Sequence, residues 1–147
     1  DAAWHLLAAD ETGLPALAAA LRAMPEDARG VAVVEVAGPG DRLPITAPAG
    51  VEVQWVYRGA SADVAPENVV GGHAPLVAAV RAIEWRPGPV QVFVHGEADA
   101  VMHHIRPYVR RERGVPAEWA SVSGYWRRGR TEEGFRTWKK DLAAAEA

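Results

Sequence analysis

The run Val31-Ala32-Val33-Val34-Glu35-Val36 constrains this chain more than any other segment. It is β-branched, almost wholly apolar, and bounded by Gly30 and Gly38. A strand with apolar side chains on both sides has no face to give to water, so it belongs in a parallel sheet covered on both faces. Covering both faces requires helices, and helical patterns lie on either side of this run in the sequence. Leu14 to Met24 reads as a helix with Pro15 in its first turn, where a missing N–H costs nothing. Ala74 to Ile83 reads as a second, with Leu76, Val77, Val80 and Ile83 on one side.

Further strands are expected at Trp4–Ala9, Val51–Tyr57, Val90–Val94 and Trp119–Ser123. The segment from Ala37 to Gly50 holds three prolines and three glycines and reads as loop, as does Arg58 to Gly72. Glu97 to Arg113 reads as a helix with Val101, Ile105, Tyr108 and Val109 as its apolar stripe and a kink at Pro107. Glu132 to Ala145 reads as a terminal helix. Strands alternating with helices predict an α/β fold, three layers deep (α/β/α), around a parallel sheet of about five strands. At 147 residues one domain is expected.

Composition narrows the function. There is no cysteine, so disulfides, thiolate metal sites and a thiol nucleophile are excluded. A net charge of −3 argues against a general nucleic-acid binder. No apolar stretch approaches the roughly 20 residues of a membrane span, and the N-terminus lacks a signal peptide's basic start, so a cytoplasmic protein is expected. Because Trp4 to Ala9 already reads as a core strand, the chain has the look of a piece of something longer. Neighbouring His103 and His104 point about 100° apart on a helix, and no H-E-x-x-H occurs, so metal is not expected. Ser121 and Ser123 lack a nucleophile elbow.

In open α/β sheets ligands bind beyond the carboxyl ends of the strands, and four segments exit there. Asp10, Glu11, Thr12 and Gly13 join a strand to a helix N-terminus, an anion-favouring position, although Asp10 and Glu11 carry the wrong sign for cradling a phosphate and Asp10 or Thr12 can equally serve as a cap. Glu35 is placed to accept ribose hydroxyls or to stand as a solvated strand-end carboxylate. Tyr57 and Arg58 follow the third strand, where a ring can stack on adenine and a guanidinium can meet a 2′-phosphate, or both can be ordinary surface. Gly96 permits close backbone approach, and Glu97 opens a helix. Tyr125, Trp126 and Arg127 follow the last strand, where an indole can cover a flat cofactor and an arginine can reach a phosphate. The arginines at 110, 111, 113, 127, 128 and 130 form either a solvated face or a patch for an acidic ligand.

Taken in order, these motifs resemble one family. Asp10-Glu11-Thr12-Gly13-Leu14-Pro15-Ala16-Leu17, Glu35-Val36, Val53-Gln54-Trp55-Val56-Tyr57-Arg58-Gly59, Val94-His95-Gly96-Glu97-Ala98, Arg110-Arg111-Glu112-Arg113-Gly114-Val115-Pro116 and Ser123-Gly124-Tyr125-Trp126-Arg127-Arg128-Gly129 are similar to the C-terminal half of siderophore-interacting proteins, flavin-dependent ferric-siderophore reductases. The resemblance implies a ferredoxin-reductase-like domain that receives NADPH or NADH, beside a preceding β-barrel domain that holds FAD. Hydride would pass to the flavin, and single electrons to Fe(III) chelated by a siderophore. It also implies that Asp10, Glu11, Thr12 and Gly13 lie under the nucleotide phosphates. Gly96 and Glu97 would flank the nicotinamide, and Tyr125, Trp126 and Arg127 would lie near the flavin. The family's flavin motif of arginine, tyrosine and serine is absent from these residues, so tight FAD binding by this chain alone is not expected. A second reading of the same fold is a non-catalytic interaction domain.

Overall fold

A computed structural model describes residues 1–126. Five strands form one parallel sheet: β1 (Trp4–Asp10), β2 (Arg29–Val36), β3 (Gly50–Tyr57), β4 (Val90–Glu97) and β5 (Ala120–Trp126), in the spatial order β3-β2-β1-β4-β5. Besides short 3-10 turns, three longer helices accompany them among the described residues: α1 (Leu14–Ala23), α2 (Pro75–Ala82), and α3, which runs as Asp99–Ile105 and then Tyr108–Glu112. The α/β class and the five-stranded parallel sheet are as expected. The expected terminal helix and Arg127 lie outside the described residues.

Strand periodicity sorts the core into two halves. Along β1, Leu6 and Ala8 join Val31, Val33, Val92 and Val94 against α2 and α3, whereas Leu7 and Ala9 join Ala32 and Val34 against α1. Successive side chains of a strand point to opposite faces, so each residue of β1 feeds one layer or the other. Leu17 and Leu21 of α1, and Val80, Val101 and Ile105 of α2 and α3, are almost wholly buried, each contributing about 1.5–3 kcal/mol of apolar burial. At the amino-terminal edge Trp4, Trp85 and Tyr108 pack edge to face, with ring centres 5.0 and 6.1 Å apart.

The helix α3 departs from the expectation in register. Arg106 N–H bonds the Val101 carbonyl and Arg113 N–H bonds the Tyr108 carbonyl, both five residues back. A proline ring collides with the carbonyl four residues earlier in an ordinary helix. The widened π turns on either side carry Pro107 at φ −60° without ending the helix. Of the arginines read as a solvated face or a patch, Arg110 and Arg113 are engaged locally, and Arg127, Arg128 and Arg130 lie outside the described residues. Arg113 lies over the rings of Trp85 and Tyr108, Arg110 donates to the Val115 carbonyl at 2.7 Å, and Arg81 pairs with Glu112.

The strand order fixes where a site can form. The chain builds β1, β2 and β3 to one side of β1, then crosses to place β4 and β5 on the other. The crevice of such a reversal lies beyond the carboxyl ends of β1 and β4. Register aligns those ends, pairing Asp10 with Glu35 and Ala9 with His95.

Candidate functional site at the carboxyl edge of the sheet

Asp10 ends β1 and is almost fully buried. Its Oδ1 accepts the Thr12 N–H at 2.9 Å, the Thr12 hydroxyl, and the Gly13 N–H at 3.4 Å. Its Oδ2 accepts the Glu97 N–H from the end of β4 at 2.8 Å. One carboxylate therefore closes the turn into α1 and ties β1 to β4. Two glycines make this geometry possible. A Cβ at Gly96 would stand 2.9 Å from Asp10 Oδ2, and one at Gly13 would stand 2.3 Å from the His95 carbonyl oxygen. The close approach expected at Gly96 is thus made by the chain's own Asp10 carboxylate. Glu97 caps α3: its two carboxylate oxygens accept the N–H groups of Asp99 and Ala100 at 3.0 and 3.1 Å.

Glu11, Glu35 and Arg58 converge from three different elements. Arg58 Nη1 donates to Glu35 Oε2 at 2.6 Å, and Nη2 donates to both oxygens of Glu11 at 2.8 and 2.7 Å. Arg58 Nε reaches the Ala60 carbonyl at 3.3 Å, and Glu35 Oε1 accepts the Leu76 N–H of α2 at 2.9 Å. Burial raises the Glu35 carboxyl above the ordinary carboxylate range, against the pull of Arg58 and the Leu76 amide. Burial works against the Arg58 charge too, but the two carboxylates outweigh it and hold the guanidinium protonated. Glu35 and Arg58 are thus the inner members of a buried network, and Glu11 is its half-exposed outer member. Tyr57, at the end of β3, accepts a hydrogen bond from Arg42 Nε on its hydroxyl oxygen, and Arg42 also lies over the rings of Trp55 and Tyr57.

On the other side of the edge, His95 and Tyr125 share a hydrogen bond through His95 Nδ1. Phe93 stacks on the His95 imidazole with centres 4.0 Å apart. His95 is buried, its Nε2 has no partner among the described residues, and burial lowers its pKa from the ordinary 6.5. Tyr125 and Trp126 lie within β5 and not beyond it, because a shift of register between Gly96 and Glu97 pairs Glu97 with Trp126.

Between these groups the edge opens into a groove of about 710 Å³ lined by Glu11, Thr12, Leu43, Arg58, Ser61 and Trp126, among others. A smaller cleft, about 20 Å³ and roughly the room of one water, lies deeper, between Asp10, Glu35, Arg58, Glu97 and Trp126. Trp126 borders both, and its indole N–H is buried without an acceptor among the described residues. The edge thus gathers Asp10, Glu11, Thr12, Glu35, Arg58, Glu97 and Trp126, with Gly13 and Gly96 shaping it. Tyr57 and Tyr125 stand to either side. Sequence reasoning missed Leu43, Asp41 and Ser61 of the groove, and Arg42 beside it. All four sit in Gly/Pro-interrupted loops, where no periodic pattern marks a residue as facing a site. Three or more metal-ligating side chains do not come together among the described residues, and no described helix is long and apolar enough to cross a membrane.

The family model for siderophore-interacting proteins matches residues 2–129. The chain belongs to the siderophore-interacting protein family. An uncharacterized protein of Mycobacterium tuberculosis is 66% identical over 145 residues, covering 98% of this chain and 51% of its own length. Ferric vibriobactin reductase ViuB of Vibrio cholerae is 30% identical over 137 residues, covering 90% of this chain and 46% of its own. Among solved structures, the siderophore-interacting protein SipS from Aeromonas hydrophila matches with a TM-score of 0.80 at 29% identity, over 97% of this chain and 53% of that one. A siderophore utilization protein from T. fusca matches at 0.75 and 34% identity, over 92% of this chain and 49% of that one. The chain spans about half the length of the relatives it matches.

Proposed function

We propose that this family member is the pyridine-nucleotide-binding half of a ferric-siderophore reductase. It would take NADH or NADPH along the groove and present it to FAD held by a β-barrel domain, the half of its relatives that this chain does not span. The observation that carries the reading is the groove itself, at the carboxyl edge and topological reversal of a parallel sheet, bordered by an aromatic residue with an unanswered indole N–H. The likeness to a ferric vibriobactin reductase supplies the reaction class.

Asp41 and Glu11 offer carboxylates to ribose hydroxyls, and Leu43 and Trp126 offer apolar surface to flat rings, while the Thr12 and Ser61 hydroxyls donate to Asp10 and Asp63 and keep lone pairs to accept. A bound nicotinamide supplies hydride, and the chemistry belongs to the cofactors. The protein's own residues bind, orient and exclude water. Asp10 fixes the turn from β1 into α1 against the end of β4, so the two sides of the crevice keep their spacing. Trp126 closes the groove at β5, with its indole N–H buried and without an acceptor among the described residues. Gly96 and Glu97 would border the nicotinamide end, with Tyr125 and Trp126 toward the flavin partner.

Calorimetric titration of the chain with NADH and with NADPH tests this. Saturable heat from at least one is expected. No binding of either at millimolar concentration would sink the nucleotide reading and favour a non-catalytic interaction domain.

A further inference from the structure

Arg58 is the only cation lining the groove among the described residues, beside the carboxylates of Glu11, Asp41 and Asp63. It is the natural receiver for any extra phosphate on a bound nucleotide. Its fork, however, is occupied. Nη1 is held by the buried Glu35, both oxygens of Glu11 hold Nη2, and Nε faces the Ala60 carbonyl. The Arg58 side chain is only 4% exposed, whereas that of Glu11 is 37% exposed, so Glu11 is the member that meets an incoming ligand. A phosphate that reached Arg58 would have to displace a bidentate carboxylate and then sit among three like charges. A ribose hydroxyl meets no such obstacle, since it donates to a carboxylate and leaves the ion pair in place.

We propose that Glu11, by occupying the outer face of Arg58, makes the groove select a nucleotide with a free 2′-hydroxyl over its 2′-phosphorylated counterpart. The inference rests on the nucleotide reading of the groove. Glu11 is here a specificity-determining residue, and Arg58 a positioning residue that holds it.

Two probes that carry no nicotinamide, ADP-ribose and 2′-phospho-ADP-ribose, separate the possibilities by calorimetry on the full chain and its Glu11→Gln variant. The parent chain is expected to bind ADP-ribose about tenfold or more tightly than the 2′-phosphorylated probe. Glu11→Gln keeps the volume and removes the charge, and should narrow that ratio by about tenfold, chiefly through tighter binding of the phosphorylated probe. Parent affinities for the two probes within a factor of about three would overturn the inference whatever the variant does. So would an unchanged ratio in a Glu11→Gln chain whose circular dichroism matches the parent. Failure of both probes to bind either chain would instead remove the nucleotide reading, and this inference with it.

Discussion

At the scale of single residues, the acidic side chains at the edge do their work on the protein before they do any on a ligand. Asp10 answers N–H groups of Thr12, Gly13 and Glu97. Asp10→Ala leaves these donors without their acceptor, and hydrogen bonds to charged groups are the more expensive kind to lose. The variant is expected to lose about 3 kcal/mol of stability, read from urea unfolding at neutral pH. A loss below about 1 kcal/mol would show that water replaces the carboxylate there. His95 gives a pH signature. Burial lowers its pKa, so the unfolded chain binds more protons at this position than the folded one. Stability then rises with pH across this titration, and is lost as pH falls below the unfolded value near 6.5, until the folded pKa is passed. His95→Gln should therefore show a smaller drop in Tm between about pH 7.5 and 5 than the parent. Equal drops would mean that His95 titrates alike in both states. What was legible at this scale follows sequence distance. An Asp two residues before a Thr signals a local turn, which Asp10 makes, but the N-cap of α1 is Gly13 with no side chain capping it, so neither Asp10 nor Thr12 is the cap. The contacts Glu11–Arg58, Glu35–Arg58 and Asp10–Glu97 span 47, 23 and 87 residues, and no local window displays them.

At the scale of elements, the seam between the β1–α1 turn and β4 positions the site. Gly13 lies against the backbone of His95, where a Cβ would sit 2.3 Å from a carbonyl oxygen that cannot swing away. Gly13→Ala is expected to push the turn off β4 and cost about 3 kcal/mol, at the upper end for an added methyl in a packed interior. Thermal unfolding of the variant measures it, and an unchanged Tm would show that the turn moves freely. The strands themselves were legible, because β-branched runs between glycines and prolines have few other uses. The ends were less so. β5 extends through Trp126, because its pairing with β4 continues across a register shift that alternation cannot reveal. The π turns of α3 were likewise invisible, since Pro107 signals a defect in the helix but not how tertiary packing absorbs it.

At the scale of the whole molecule, parallel topology was readable from the alternation of elements, but the order β3-β2-β1-β4-β5 was not. That order sets the crevice at Asp10 and Gly96, so the site's address comes from the fold and not from any one motif. Family membership adds that this domain matches about half the length of its relatives. Its proposed chemistry therefore needs a flavin-bearing partner, while its proposed nucleotide binding does not. The proposed nucleotide binding in the groove at the carboxyl edge is tested by following backbone amide resonances of the chain during titration with NADH. Saturable shifts are expected at Thr12, Leu43, Arg58, Ser61 and Trp126, with the amino-terminal edge around Trp85 and Val115 unmoved. Shifts confined to that opposite edge, or none at all at millimolar NADH, would contradict it.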